Sequence, residues 1–124
     1  MKNIFTLWHN PRCSKSREAL QILIDNNITP IIREYLKDAP SNIEILEILD
    51  LLRIDKNSKS DVLKIVREKE KIWKEKNITL SELSAYEIIE KLAEFPKGIQ
   101  RPICIKSNEI AVIGRPPENI ITIL

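Results

Sequence analysis

A short apolar run, Ile4-Phe5-Thr6-Leu7-Trp8, turns through Asn10-Pro11, delivers Cys13 and passes at once into a helical pattern bearing Ala19, Leu20, Leu23 and Ile24. That arrangement constrains the chain more than any other. The apolar run reads as a strand over residues 3–8, apolar on both faces and therefore central in its sheet. The first turn of the following helix presents unpaired N–H groups and the positive end of the helix dipole, which favour an anion. A thiolate is such an anion, so Cys13 is expected to ionise more easily than an ordinary thiol. Arg12, Lys15 and Arg17 add positive charge, and His9, as an imidazolium, is expected to favour the thiolate further. The stretch His9–Arg17 therefore reads as a reactive-thiol site whose donors also suit an oxyanion.

At 124 residues the chain is expected to form one domain, large enough to bury a core without disulfide or metal staples. A net charge of +2 is too small to argue for nucleic acid or a membrane surface as partner. No stretch approaches the roughly 18 apolar residues a spanning helix needs, and Met1-Lys2 leads directly into strand pattern without a leader. A cytoplasmic monomer is expected. Cys13 and Cys104 lie too far apart in sequence for a disulfide framework or a zinc motif, and a single histidine excludes a multi-histidine metal centre. No bound metal or cofactor is expected. Cys104, inside Ile103-Cys104-Ile105, reads as a small core residue.

The spacing predicts a helix from about Ser14 to Asn26, then a strand over Pro30–Tyr35 parallel to the first, because a helix-length crossover joins them. Ser41 with Glu44 and Ser84 with Glu87 are capping boxes that open two helices. Between them, about Asp55 to Asn77, the composition shifts to Lys and Glu over one apolar stripe of Val62, Ile65, Val66, Ile72 and Trp73. Arg67-Glu68-Lys69-Glu70-Lys71 reads there as a solvated helix face. After Pro96 the period changes. Ile103–Ile105 and Ile110–Ile113, joined by Ser107-Asn108, form a hairpin, and Pro116-Pro117-Glu118 opens a last helix with Ile120, Ile121 and Leu124 as its buried face. The predicted fold class is α/β: βαβ, then helices, then ββα, with one mixed sheet covered on both sides. Arg101 and Arg115 flank the hairpin strands and so fall at one end of that sheet, where guanidinium groups can hold a tetrahedral oxyanion through paired N–H donors. An X-Pro bond is cis in roughly one case in twenty, so residues alone leave Arg101-Pro102 open.

Three segments together, His9-Asn10-Pro11-Arg12-Cys13-Ser14-Lys15-Ser16-Arg17, Arg101-Pro102-Ile103 and Ile113-Gly114-Arg115-Pro116-Pro117-Glu118, resemble the ArsC family of glutaredoxin-dependent arsenate reductases in order and spacing. The resemblance covers essentially the whole chain and is nearest to the short branch of that family, whose members end soon after the Gly-Arg-Pro-Pro-Glu element. It implies a single thioredoxin-like domain, with a core of residues 1–37 and 99–124 and a helical insertion over about 40–96. It implies further that Cys13 is the nucleophile with His9 beside it. Arg101, Arg115 and, in the insertion, Arg67 would be the oxyanion-binding arginines. Asn10, Ser16, Arg17 and Pro102 would support the loop, with Pro102 following a cis bond. The implied activity is reduction of arsenate, with glutathione as co-substrate and glutaredoxin as partner. The absence of a second cysteine near Cys13 suits an external resolving thiol. Arg17 follows Cys13 after three residues rather than the five that phosphatase-like arsenate reductases need, and Cys13-Ser14-Lys15-Ser16 lacks the Cys-x-x-Cys common in Spx regulators. The rival expectations are a redox-sensing binding protein in the manner of Spx and a thiol oxidoreductase of the same fold with another substrate.

Overall fold

The computed structural model describes residues 3–124; Met1 and Lys2, where the absence of a leader was read, lie outside the described residues. Its contacts divide the chain into two compact units, one of residues up to Asp38 with Arg101–Leu124, the other Ala39–Gln100.

The first unit is built on four strands, β1 (Phe5–Trp8), β2 (Ile31–Arg33), β3 (Ile103–Lys106) and β4 (Ile110–Ile113), in the order β2-β1-β3-β4. β2 runs parallel to β1, whereas β3 and β4 run antiparallel to their neighbours, so the sheet is mixed. The apolar run of β1 takes an interior place, as its composition requires. The second strand is shorter than the pattern suggests and lies at the edge, where Ile31 and Ile32 remain exposed. α1 (Ser14–Asp25) is the crossover, and Asn27 beyond its end takes φ 61°. Asparagine tolerates that left-handed conformation better than most side chains. Ala19 and Leu23 of α1 pack on Phe5, Leu7 and Cys104 on one face of the sheet, together with Ile120 and Ile123. On the other face Trp8, Ile103 and Ile105 are buried as well. In the hairpin, residues 107–109 separate the paired Lys106 and Ile110; Ser107 and Asn108 have φ of 50° and 55°, the positive signs of a type I′ turn, which the Glu109 N–H closes on the Lys106 carbonyl.

The closing segment departs from expectation. Pro117–Ile123 forms a 3-10 helix rather than an α-helix. Three residues per turn align positions i and i+3, so Ile120 and Ile123 go inward while Ile121 is 56% exposed.

In the second unit, α2 (Asn42–Leu51) and α5 (Ala85–Glu94) pack together, and each begins with its capping box fully formed. The charged segment between them is broken into α3 (Lys59–Val62), a 3-10 turn at Leu63–Ile65, and α4 (Lys71–Glu75). Arg67–Glu70 are not a helix face. Tertiary pairing takes this backbone: Val66 bridges Ile99, the Arg67 N–H donates to the Gly98 carbonyl at 2.7 Å, and the Trp73 indole N–H donates to the Arg67 carbonyl at 2.8 Å. The same pairing carries this unit to Gln100, past the expected limit near residue 96, because the Gln100 N–H donates to the Ile65 carbonyl.

Gly98 lies flat against this indole, and a Cβ there would collide with Cζ2 and Cη2 of Trp73. The ring is buried and tied to Arg67, so relief must come from the backbone. Gly98→Ala is expected to cost about 1–3 kcal/mol, the usual penalty of overpacking. A urea titration with an unchanged midpoint would show that the indole can move aside.

Candidate functional site

The loop after β1 is held by its own short polar groups and by Ser16 and Arg17 of α1. The Asn10 side-chain oxygen accepts from the Arg12 N–H at 3.1 Å, and the Asn10 carbonyl accepts from the Cys13 N–H at 3.0 Å. This pair of bonds folds Asn10-Pro11-Arg12-Cys13 into a turn, as expected of an Asn-Pro start. Arg17 then fastens the turn from α1, its Nη1 donating to the Pro11 carbonyl at 2.9 Å. Ser16 is fully buried; its Oγ accepts from the Asn10 N–H at 3.0 Å and lies 2.5 Å from His9 Nδ1.

Cys13 consequently stands at the N-cap of α1, with extended backbone and no side-chain capping bond. Burial raises the pKa of its thiol. The hydrogen-bonding Arg101 guanidinium, the Ser16 N–H, the charge of Arg101 and the Lys15 N–H together outweigh burial, and the net direction is downward. The helix-start argument therefore holds, but the main cation comes from far along the chain. Lys15 is instead paired with Glu18 at 3.5 Å, Arg17 serves the turn, and Arg12 is exposed. Cys104 has the opposite environment: burial pushes its thiol up to about 12. Both cysteines are free thiols.

His9 also differs from expectation. It is 6% exposed, and burial lowers its pKa despite the opposing charge of Glu34, with Arg17 adding to the fall. A neutral ring is therefore favoured, and its Nδ1 contact is Ser16 rather than Cys13. The imidazolium reading is replaced by a structural one. A neutral Nδ1 accepts from the Ser16 hydroxyl while that oxygen accepts from Asn10, and the loop is locked to α1.

Arg101 reaches this place through sheet register. Trp8 pairs with Ile103, so the residues before β3 lie beside the residues after β1. The Arg101-Pro102 bond is cis, as is Arg115-Pro116. Burial acts to lower the Arg101 pKa, but its contacts with Cys13 and with the Tyr35 phenol raise it overall. Its Nε is buried with no hydrogen-bond partner. Arg115 stands next to it, Nη1 donating to the Arg101 carbonyl at 3.2 Å. The Gly114 N–H donates to the Pro102 carbonyl at 2.8 Å, and a Cβ on Gly114 would lie 2.8 Å from Pro102 Cγ. Arg67 belongs to the second unit, where its Nε pairs with Glu70 at 3.3 Å and its backbone is held as described above.

Two contributors escape a reading of the residues alone. Gly114 had a signal: the chain has only two glycines, and both mark places where backbone packs too closely for a Cβ. Tyr35 had none, since nothing local sets it apart from any aromatic near a strand end.

The opposite environments of the two thiols predict selective chemistry. At mildly acidic pH an alkylating reagent is expected to modify Cys13 in the native protein and spare Cys104; equal labelling of both would remove Cys13 from its special place. His9 gives a second outcome. Below its ordinary value of 6.5, unfolded His9 takes up a proton that the native ring refuses. Stability should therefore fall as pH drops from 6.5 toward the lowered native value. His9→Gln is expected to flatten urea-derived stability against pH across that window, and an identical slope would show that native His9 titrates normally.

The profile of the ArsC family matches residues 8–123. An arsenate reductase of Haemophilus influenzae is 40% identical over 118 residues, covering 95% of this chain and 97% of its own, and one of Neisseria meningitidis is 32% identical with 95% and 96% covered. A solved structure of an arsenate reductase from Vibrio cholerae superposes with a TM-score of 0.88 at 36% identity, over all of both chains. The mixed four-stranded sheet with its helices is this thioredoxin-like fold. The chain belongs to the ArsC family.

Proposed function

We infer that this protein reduces arsenate, with Cys13 as nucleophile. One observation carries the reading: a thiol at a helix N-terminus faces a part-buried guanidinium whose Nε–H has no hydrogen-bond partner. A buried donor of that kind is costly unless something arrives to accept from it. A tetrahedral oxyanion supplies the acceptor and places its central atom near the sulfur. Relatives named arsenate reductase support the choice of anion.

In this reading the Cys13 thiolate attacks arsenic, an oxygen leaves as water after protonation, and an S–As bond forms. Arg101, with Arg115 beside it, holds the negative oxygens, an electrostatic contribution made before and during the attack. The resemblance makes Arg67 the third arginine of the set; within the second unit its Nε pairs with Glu70. The glutathione thiolate then attacks the Cys13 sulfur. The S–As electron pair passes to arsenic, which leaves reduced by two electrons as arsenite. The resulting disulfide between Cys13 and glutathione is opened by glutaredoxin. The only other cysteine is buried in the core with a raised pKa, so the resolving thiol comes from outside the chain. A reducing compartment such as the cytoplasm, and a monomer, suit this cycle.

The test is arsenite production by purified protein supplied with glutathione and glutaredoxin. Cys13→Ser is expected to abolish it. Arg101→Ala, Arg115→Ala and Arg67→Ala should each lower turnover by about one to two decades, the usual loss of a charge-assisted contact. Lysine at 101 or 115 should recover only part, because a point charge lacks paired donors. A wild-type protein that forms Cys13 mixed disulfides yet yields no arsenite would leave the thiol assignment standing and end the arsenate reading.

A further inference from the structure

The closing 3-10 helix reaches back to the backbone that carries Arg115. That arginine is exposed, and its guanidinium is tied by Nη1 donating to the Arg101 carbonyl at 3.2 Å. A side chain so long and so open keeps such a contact only if its own backbone is held still. On the inner side the Gly114 N–H does this, donating to the Pro102 carbonyl at 2.8 Å. In an antiparallel pair alternate residues turn their polar groups toward the partner strand. The Ile113 carbonyl, one residue before Gly114 on the edge strand β4, therefore faces away from β3. Beyond Arg115 stand Pro116 and Pro117, which have no N–H to give. One side chain meets both needs. Asn119 Nδ2 donates to the Ile113 carbonyl at 3.3 Å and to the Arg115 carbonyl at 3.2 Å. Asn119 is itself fixed. Its N–H donates to the Pro116 carbonyl at 3.0 Å, its carbonyl accepts from the Thr122 hydroxyl at 2.7 Å, and the next residue, Ile120, is buried in the core.

We propose that Asn119 is a positioning residue for Arg115: its side-chain amide bridges the Ile113 and Arg115 carbonyls across Gly114 and holds the arginine where its guanidinium meets the Arg101 carbonyl. An amide nitrogen carries two N–H donors at a fixed angle, and here each has its own carbonyl. Aspartate has the same shape with acceptors only, and leucine has it with neither donors nor acceptors. Asn119 acts through Arg115 alone. The inference rests on the reading that Arg115 holds the oxyanion.

The experiment measures how well inorganic arsenate, without glutathione, protects Cys13 from alkylation in wild type, Asn119→Leu, Arg115→Ala and the double variant. Leucine keeps the branching of asparagine and removes both donors. Asn119→Leu is expected to raise the protecting concentration by roughly three- to tenfold, the worth of one ordinary hydrogen bond. In the Arg115→Ala background the same change should add nothing, because the group it positions is gone, whereas a general loosening of the fold would persist. Asn119→Gln, which keeps both donors on a longer stem, should return part of the protection. Asn119→Ser, too short to span both carbonyls, gives the same comparison if leucine prevents folding. A second arm needs no anion: the heteronuclear NOE of the Arg115 Nε–H should fall in Asn119→Leu as the guanidinium gains freedom. Unchanged protection in Asn119→Leu overturns the proposal, and so does a loss that persists undiminished without Arg115. Should arsenate fail to protect even the wild-type thiol, the oxyanion reading falls and the NOE decides. An equal value in wild type and variant then overturns the positioning role, and a lower one in the variant upholds it.

Discussion

The site hangs on one buried hydroxyl. Ser16 Oγ joins His9 at the end of β1, the Asn10 N–H in the turn and the first turn of α1. With those contacts made, the chain has no freedom to place Cys13 anywhere but at the helix start. The choice of a cysteine there matters because α1, unlike α2 and α5, lacks a side-chain cap. α2 and α5 close their first turns with a serine hydroxyl and a glutamate. α1 has no side-chain cap and no acidic residue in its first turn. Its free N–H groups are therefore left to the Cys13 sulfur and to whatever anion approaches it.

The strand order then determines which distant residues meet that sulfur. A parallel neighbour on one side of β1 and an antiparallel one on the other bring the residues after β2 and those before β3 to the same end of the sheet. β4, paired with β3 so that Ile113 faces Ile103, returns Arg115 to that end as well. Gly114 is the condition for this return, since its backbone passes against Pro102 where no side chain fits.

Local signals were legible and tertiary ones were not. Capping boxes, the Asn-Pro turn and the hairpin could be read directly, because each is decided by residues within four positions of one another. The charged segment failed that test. Its helical spacing is real, but Val66, Arg67 and Gln100 spend their backbone groups on strand-like pairing, and Trp73 pins the bend. The last segment was misread by period: a 3-10 helix buries Ile123 where an α-helix would have buried Ile121 and Leu124. At the site, the cysteine and its helix start were readable, and the two hairpin arginines could be placed at one end of the sheet. What His9 does was hidden, because a histidine's charge depends on burial that no neighbour in sequence reveals.

Burial also explains why Arg101 outweighs three nearer cations. Two unit charges 4 Å apart interact by about 1 kcal/mol in water, and by about 4 kcal/mol at the effective dielectric of a protein surface. Exposed groups such as Arg12 and Lys15 work close to the first limit, and salt weakens them further. Arg101, half withdrawn from solvent, works nearer the second. The same reasoning shows why one such arginine is insufficient for the proposed reaction. A thiolate and a tetrahedral dianion bring three negative charges together. Against them stand one guanidinium and about half a unit of charge from the helix dipole. More positive charge is needed before the two anions can approach to bonding distance. Arg115, itself exposed, is anchored to the Arg101 carbonyl and so adds its charge beside the half-buried guanidinium.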